Sequence, residues 1–357
     1  TDFSGTGVPR VTLRLAAGLA ELGYDVELLV LNPRGPMLDQ VGVLVKIVPL
    51  SSARAITALP KLSRYLRMRK PDVVIAAEDQ LGIVAAAACL ISGSDARLLV
   101  TSHVPYSRSG IMCGLKGWIF KTSLRVLWSR IDIFSTVSKG LADDMSNSMG
   151  IPRDQIHVLH NAVIQEADIQ RKPDPTCHPF FKTASKVIVG IGSLHPRKGF
   201  QDLIEAFRIA NEKADLKLII LGEGHYRKAL EQQIKIADLT ERVDLVGYCS
   251  DPFRYLQTAD LFVLASHFEG LPTVLIEALA CGCPCVATDC LAGPREILAD
   301  GMWGELVEVK NTEELAEAIL TSIANPLDIE TLQKRASDFT DKAISRKADA
   351  LLKVGNK

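Results

Sequence analysis

The sequence predicts an α/β fold made of two doubly wound domains that face a central cleft. First, the chain has 357 residues, and a domain takes about 100–200 residues, so the length suggests two domains. Second, short apolar runs alternate with helix-period segments in both halves, which is typical of parallel sheets covered by helices on both faces. Third, a polar, proline-bearing stretch at residues 164–185 lies between the halves and is typical of a linker.

The first half contains five apolar runs that predict strands at residues 24–31, 43–49, 71–76, 96–102 and 131–137. Helix-period segments lie between them, such as residues 11–22, which Gly23 closes. A glycine turn and a helix open the chain without a preceding strand. Because a Rossmann-like domain normally begins with that strand, we expect the first strand to be missing from this chain.

The second half repeats the pattern, with predicted strands at residues 186–191, 217–221, 243–246, 259–265 and 284–288. This organisation predicts a series of segments, namely an N-terminal Rossmann-like domain at residues 1–163, a linker at 164–185, a C-terminal Rossmann-like domain at 186–337 and a last helix at 338–357. The last helix is expected to cross back to the N-terminal domain. Ligands of doubly wound sheets bind beyond the carboxyl ends of the strands, so the site residues should directly follow strands.

The composition excludes several classes of protein. The net charge is 41 − 42 = −1, which argues against a protein that coats nucleic acid. No apolar run reaches the roughly 18 residues of a membrane span, and the first residues lack the basic and apolar parts of a signal peptide. Eight cysteines in a chain of this length do not indicate a disulfide framework, so we expect a reduced, cytoplasmic protein.

Three of the cysteines, Cys281, Cys283 and Cys285, lie close enough together to suggest a metal site. Their alternating spacing also suits a buried strand, and neither a second CxxC pair nor a set of histidines accompanies them. We favour the strand interpretation and expect no metal.

Two adjacent cations follow the first strand of the second half. The segment GSLHPRKGFQDLIEAF has a glycine turn at Gly192, then Arg197 and Lys198, and then a helix. Backbone amides at a helix start and side-chain cations together bind phosphate, so this segment predicts a phosphate site. The alternative is a solvated basic loop.

Two glutamates separated by seven residues follow the predicted strand 259–265, in the segment SHFEGLPTVLIEALACGCPCVATD. A turn-forming GLP sequence follows Glu269, and a helix is predicted to start near Thr273. The amides of Thr273 and Val274 then form a second anion site, and Glu277, one turn later, can accept hydrogen bonds from a vicinal diol such as a ribose. Taken singly, either glutamate can be an ordinary surface carboxylate.

Together these motifs resemble a known enzyme family. EGLPTVLIEALACGCPCVATD resembles the E-x7-E signature of the retaining, family 4-type glycosyltransferases of the GT-B fold, also called glycosyl transferases group 1. GSLHPRKG is similar to the phosphate loop of that family, and SGTGVPRVTLRLAAGLAELGYDVELLV to its N-terminal glycine loop and first helix. IDIFSTVSKGLADDM, VLHNAV, LGEG and VGYCSDPFRYLQTADLFVLAS follow the same pattern, so the resemblance covers nearly the whole chain.

The resemblance implies roles for the residues at the matching positions. Arg197 and Lys198 bind the donor diphosphate and offset the charge that develops on the leaving group. Glu269 contacts the hydroxyls of the donor sugar, and Glu277 holds the nucleotide ribose. His103, directly after the predicted strand 96–102, approaches the donor sugar from the N-terminal domain and completes the catalytic set. The other donor-binding positions are turn glycines, amide donors and one aromatic residue near the base: Gly7, Gly192, Tyr248, Gly270, Leu271, Thr273 and Val274.

The chain departs from the family pattern in both of its predicted phosphate loops. Ser193 stands where the family commonly has an arginine, so Arg197 would supply the second cation. Near the N-terminus, Thr6 precedes Gly7 in place of a glycine pair, and Pro9 stands where an acidic residue is often found. His103, considered without the resemblance, can also be a structural residue.

The resemblance implies a retaining, metal-independent glycosyltransferase that needs no cofactor. Its donor would be a UDP-hexose or a UDP-N-acetylhexosamine, and its acceptor a hydroxyl of a glycan or lipid-linked molecule in cell-surface polysaccharide, lipopolysaccharide or glycolipid synthesis. The alternatives are a GDP-mannose-dependent mannosyltransferase, a nucleotide-sugar epimerase of similar architecture and a catalytically inactive nucleotide-sugar-binding scaffold.

Charge is distributed unevenly along the chain. Residues 1–160 hold 18 basic and 13 acidic residues, whereas residues 161–357 hold 23 and 29. Two stretches of the first half, 54–70 and 97–130, contain no acid and hold these cations: Arg54, Lys61, Arg64, Arg67, Arg69 and Lys70; and Arg97, Arg108, Lys116, Lys121, Arg125 and Arg130. The second stretch is also rich in apolar residues and tryptophan, which indicates an interfacial helix on the anionic inner face of a membrane. The alternative is a helix packed in its own domain with solvated cations.

Overall fold

The apolar runs form parallel strands and the segments between them form helices, which confirms the predicted α/β class. The computed structural model describes residues 7–33, 44–108, 114–172 and 178–353. The strands in these ranges are β1 (Val26–Val30), β2 (Val45–Pro49), β3 (Val73–Ala76), β4 (Arg97–Ser102), β5 (Ile133–Thr136), β6 (Ile156–Val158), β7 (Lys186–Ile191), β8 (Leu216–Leu221), β9 (Val243–Gly247), β10 (Leu261–Leu264), β11 (Cys285–Thr288) and β12 (Glu305–Val307). The helices are α1 (Gly7–Glu21), α2 (Leu59–Arg69), α3 (Asp79–Ser92), α4 (Gly114–Leu127), α5 (Lys139–Met149), α6 (Glu166–Ile169), α7 (Phe200–Asn211), α8 (Arg227–Ile236), α9 (Phe253–Leu256), α10 (Thr273–Ala280), α11 (Pro294–Ile297), α12 (Thr312–Ala324), α13 (Ile329–Ala336) and α14 (Asp341–Lys353).

The chain divides into two compact units. Residues 1–163 and 339–357 form the N-terminal unit, and residues 164–338 form the C-terminal unit. The last helix, α14, belongs to the N-terminal unit, where Ile344 packs in one apolar cluster with Leu19 of α1. At this contact a Cβ on Gly18 would lie 2.2 Å from Ser345 Oγ, so glycine allows the two helices to approach closely.

The C-terminal unit is built on one six-stranded parallel sheet with the strand order β12-β11-β10-β7-β8-β9. Its centre is the pairing of β7 with β10, in which Ile188 lies beside Leu261. Phe207 of α7 is fully buried against the apolar residues of this sheet. Because parallel neighbours end at the same edge, the segments that follow β7 and β10 lie side by side.

The N-terminal unit contains a two-stranded sheet, β1-β2, and a four-stranded sheet, β3-β4-β5-β6, both parallel. Its main core packs α3, α4 and α5 against the larger sheet around residues such as Leu98 and Phe134. A Cβ on Gly82 of α3 would lie 2.4 Å from Val100 Cγ1 of β4, so α3 lies close against this strand. Residues 1–6, which bear on the expected missing first strand, lie outside the described residues.

A cavity of about 490 Å³ lies in the N-terminal unit, lined by β1 and β3 together with residues of α1, α2 and α3. Leu28 and Ile75 are among its apolar lining residues. None of the predicted site residues lines this cavity, so it is not the candidate active site.

The CGCPC segment is only partly a strand. Cys285 lies on β11, but Cys281 caps the C-terminus of α10 and Cys283 lies in the following turn. The interpretation of all three cysteines as strand residues is therefore wrong for the first two, because Gly282 adopts a left-handed φ of 69° that ends the helix. Burial raises the pKa of the Cys283 and Cys285 thiols well above the ordinary value.

Candidate active site

The loop after β7 lies against the end of β10. Residues 192–195 lead into a short 3-10 turn, Pro196–Lys198, in which His195 Nδ1 accepts a hydrogen bond from the amide of Arg197 at 3.2 Å. Gly199 ends this turn with a φ of 64°, and a Cβ at this position would lie 1.9 Å from the carbonyl oxygen of Ala265. Only glycine combines this backbone conformation with such a close approach.

Glu269 connects the two predicted cations. Its Oε1 accepts hydrogen bonds from Lys198 Nζ at 2.5 Å and from Ser266 Oγ at 2.7 Å, and its Oε2 lies 3.7 Å from Arg197 Nη1. The side chains of Lys198 and Glu269 are 13% and 8% exposed, whereas that of Arg197 is 37% exposed. Lys198 is therefore held by a buried ion pair, while Arg197 remains accessible to an anionic ligand.

Further contacts hold these loops in place. The amide of His267 donates to the carbonyl oxygen of Arg197 at 2.8 Å, and the His267 Nε2 lies 2.6 Å from Asp202 Oδ2 at the start of α7. Thr288 Oγ1 donates to the carbonyl oxygen of Ser266 at 2.5 Å. Sequence reasoning missed Asp202, Ser266, His267 and Thr288; the S-x-x-E spacing of Ser266 and Glu269 was the one local signal.

The second loop continues into α10, which begins at Thr273 after an extended Pro272. The first amides of a helix have no carbonyl partner within the helix, so Thr273 and Val274 are placed where a helix binds anions. Glu277 lies on the same helix and is buried. Gly270 and Leu271 form the turn that joins Glu269 to this helix.

A third loop, after β8, lies directly on the first. A Cβ on Gly222 would lie 1.8 Å from the carbonyl oxygen of Gly192, and the amide of Leu194 donates to the carbonyl oxygen of Glu223 at 2.9 Å. Gly192 is thus enclosed by backbone on one side and by the Lys198 stem on the other, where a Cβ would lie 3.4 Å from Lys198 Cδ. Tyr248, which follows β9, is 72% exposed.

The remaining two predicted residues belong to the N-terminal unit. His103 directly follows β4, and burial lowers its pKa to about 4, so its imidazole is neutral at pH 7. Gly7 is the first residue of α1, and a Cβ there would meet no atom within 4 Å. The structure therefore brings Arg197, Lys198 and Glu269 together in one cluster, with His103 and Gly7 in the other unit.

The cluster has the chemistry of an anion site. Two cations and a buried carboxylate lie together at the ends of adjacent strands, and the loop that carries the carboxylate leads into the first turn of α10. Such groups bind phosphate through charge-assisted hydrogen bonds and helix amides.

Comparison with known proteins identifies the family. The sequence model described as "Glycosyl transferases group 1" matches residues 178–345, and the "Glycosyl transferase 4-like domain" matches residues 6–162. The chain belongs to the group 1 glycosyl transferases. The predicted membership of the group 1 glycosyl transferases is thereby confirmed.

The relatives of this glycosyl transferase include enzymes with named activities. Over 231 residues it is 32% identical to the N-acetylgalactosamine-N,N'-diacetylbacillosaminyl-diphospho-undecaprenol 4-alpha-N-acetylgalactosaminyltransferase of Campylobacter jejuni, a match covering 65% of this chain and 61% of that protein. It is 24% identical over 277 residues to the lipopolysaccharide 1,6-galactosyltransferase of Escherichia coli, covering 75% of this chain and 70% of that protein. The match thus spans about three fifths of the length of the Campylobacter relative.

Solved structures show the same fold. The lipopolysaccharide outer core galactosyltransferase WaaB, in its apo form, aligns with a TM-score of 0.76 at 19% identity over 98% of this chain and 96% of its own. HepE from Anabaena, in complex with UDP, aligns with a TM-score of 0.77 at 20% identity over 98% of both chains. This glycosyl transferase therefore has the GT-B class of fold that the sequence predicted.

Proposed function

We propose that this glycosyl transferase moves a hexose or N-acetylhexosamine from a UDP-sugar to a hydroxyl of a glycan or lipid-linked acceptor, with retention of configuration at the anomeric carbon. The observation that carries the proposal is the cluster of Arg197, Lys198 and Glu269 where β7 and β10 end. The galactosaminyl- and galactosyltransferase names of two relatives, and the UDP bound to HepE, support the choice of donor. The pathway would be cell-surface polysaccharide, lipopolysaccharide or glycolipid synthesis.

The chemical demand on the protein is electrostatic. When the bond between the anomeric carbon and the phosphate oxygen breaks, negative charge develops on the departing diphosphate and positive charge on the sugar ring. Arg197, Lys198 and the first amides of α10 then stabilise the diphosphate more strongly than they do in the bound donor. Glu269 keeps Lys198 oriented for this task and, in our proposal, accepts hydrogen bonds from the donor sugar, while Glu277 accepts them from the ribose.

The transfer itself needs no nucleophile of the enzyme in this proposal. The acceptor oxygen forms its bond to the anomeric carbon on the face that the diphosphate leaves, and the acceptor proton passes to the departing phosphate oxygen. The products are a nucleoside diphosphate and a glycoside of unchanged anomeric configuration. The neutral imidazole of His103 would hydrogen-bond the donor sugar, Gly7 and Gly192 would let backbone approach the phosphates, and Tyr248 would contact the base.

The acceptor side involves the basic helix α4. Its buried stripe consists of Gly117, Phe120 and Leu124. A second apolar stripe points to solvent: Leu115, Trp118, Ile119 and Val126 are 72%, 65%, 50% and 71% exposed. An exposed apolar stripe with neighbouring cations suits a helix that lies in a membrane interface, so we propose that α4 docks on an anionic surface.

The cations available for such docking are fewer than the sequence suggests. Arg130 donates to the carbonyl oxygens of Ser94 and Ala96, and Lys61 donates to Leu50 and Ser51. On α4 itself, Arg125 donates to the carbonyl oxygen of Met149 at 3.3 Å, and we take Lys116 and Lys121 as the docking candidates of this helix. No helix in the described ranges is long and apolar enough to cross a bilayer. A cytoplasmic protein bound peripherally to the inner face is the location we propose.

A donor screen tests the proposed function. Release of the free nucleoside diphosphate is measured with a panel of UDP- and GDP-sugars, with and without EDTA. We expect release from a UDP-hexose or UDP-N-acetylhexosamine, unchanged by EDTA, because the cations and helix amides of the cluster neutralise the phosphates without a metal. Release confined to GDP-mannose would contradict the donor assignment, and an inert protein that still binds UDP would favour the scaffold alternative.

A further inference from the structure

The loop that carries His103 is held on both sides by one buried carboxylate. Before His103, Ser102 Oγ donates to Asp79 Oδ2 at 3.0 Å; after it, the Tyr106 hydroxyl donates to Asp79 Oδ1 at 2.6 Å. Asp79 is the first residue of α3 and is 6% exposed. Its two oxygens therefore fix both ends of the three-residue segment 103–105.

A second buried carboxylate, on another helix, holds the end of the same loop. Asp144 Oδ2, on α5, accepts hydrogen bonds from the amides of Tyr106 at 2.6 Å and Ser107 at 3.1 Å. Asp144 is 8% exposed. The backbone and side chain of Tyr106 are thus bound by two acidic residues from different helices.

The elements around this loop, α3, β4 and α4, are tightly packed. The close approach of Gly82 to Val100 places α3 firmly on β4, and the Tyr106 ring lies 5.9 Å from the Phe120 ring of α4. Burial of a carboxylate costs free energy, and here it raises the pKa of Asp79 to about 6. Apolar side chains would fill this space at lower cost, whereas directed hydrogen bonds specify one loop geometry.

We propose that Asp79 and Asp144 are positioning residues that fix the loop after β4 and thereby the imidazole of His103. Asp79 holds the loop through Ser102 and Tyr106, and Asp144 holds it through the backbone. The inference rests on the proposed function, since it gives Asp79 and Asp144 a part in donor-sugar transfer through His103.

The test is a double-mutant cycle. Transfer is measured for the wild type, Asp79→Asn, His103→Ala and the double variant. We expect Asp79→Asn to lower kcat roughly 10- to 100-fold with the donor KM unchanged, since small misplacements of a catalytic group have effects of this size. In the His103→Ala background the same change should have no further effect, because it acts through His103. An equal loss in both backgrounds, or no loss in either, would overturn the proposal.

The matched control and a second readout use the same protein. Asp143→Asn changes an exposed residue next to Asp144 that pairs with Arg153, and it should leave kcat unchanged.

In protein labelled with 13C-histidine, the His103 ring signals should shift in Asp79→Asn and in Tyr106→Phe. The pKa of His103 should rise from about 4 as the loop admits water. Folded variants with unmoved His103 signals contradict the positioning role. This readout needs no transfer, so an inert wild type counts against the proposed function only.

Discussion

Glu269 contributes more to the site than its place in the sequence motif indicates. The motif predicts a carboxylate that contacts the donor sugar; the structure shows this carboxylate bound to Lys198 and Ser266 and close to Arg197. One buried acid thus orients Lys198 and lies beside the more exposed Arg197.

We expect Glu269→Gln to reduce transfer strongly. The amide has nearly the shape of the carboxylate, but it leaves Lys198 without its buried counter-charge, so the lysine is free to change position. Loss of one oriented group in such a site costs roughly 100-fold in kcat/KM. Steady-state kinetics measures the change, with Glu212→Gln on the exposed end of α7 as the control. Unchanged kinetics in Glu269→Gln would contradict this role.

Among the single residues of the site, the charged ones could be predicted from the sequence, but the residues that hold them in place could not. Arg197, Lys198 and Glu269 stand in recognisable spacings after strands, and the structure brings them together. Asp202 and His267 were missed because a hydrogen bond between residues 65 apart leaves no trace in local spacing. Asp79 was missed for the same reason, since its partners are the last residue of β4, Ser102, and Tyr106 in the loop after it.

Long, buried helices and strands could be predicted from the sequence better than short or exposed ones. β7 has the predicted bounds, because its buried apolar run between two polar segments gives a clear signal. β6 and β12 were not predicted, since three residues are too few to show a period. The cysteine turn after α10 was misread because alternating cysteines look like a strand until the left-handed Gly282 is seen.

A salt-bridge network joins elements of the smaller sheet and yields a prediction on stability. Glu27 on β1 binds Tyr65 and Arg69 of α2 and Lys46 of β2. The Tyr65 hydrogen bond, followed by those from Lys46 and Arg69, lowers the pKa of Glu27 to about 2. Stabilisation by a carboxylate with a lowered pKa is complete above its ordinary pKa and is lost as the pH falls towards the folded-state value.

Glu27→Gln should therefore be less stable than the wild type at pH 7, and the difference should shrink as the pH falls from about 4.5 towards 2. Urea unfolding at several pH values measures it, with the exposed Glu241→Gln as the control. A difference that stays constant down to pH 3 would show that Glu27 does not act through its charge.

At the scale of the whole molecule, the near-zero net charge conceals a basic N-terminal part and an acidic C-terminal part. The structure shows that part of this basic charge is less available to a ligand, because several cations of the basic stretches are bound within the protein. Helix α4 combines the exposed apolar stripe with two lysines, Lys116 and Lys121.

We expect the protein to bind vesicles rich in anionic lipid in a salt-sensitive manner. Each lysine near such a surface contributes about 1 kcal/mol, so Lys116→Gln with Lys121→Gln should weaken binding roughly 30-fold. Trp118→Ala should weaken it through loss of apolar contact. Sedimentation measures binding, with Lys213→Gln and Lys228→Gln in the C-terminal unit as the matched control. Equal binding by both double variants would exclude α4 as the docking surface.

The most direct measurement is UDP release from the accepted UDP-sugar by the wild type and by Lys198→Ala, with Lys213→Ala as the control. If Lys198 stabilises the departing diphosphate, its loss should slow release roughly 100-fold or more, while the control should match the wild type. Equal release by Lys198→Ala and the wild type would contradict the assignment of this cluster as the active site.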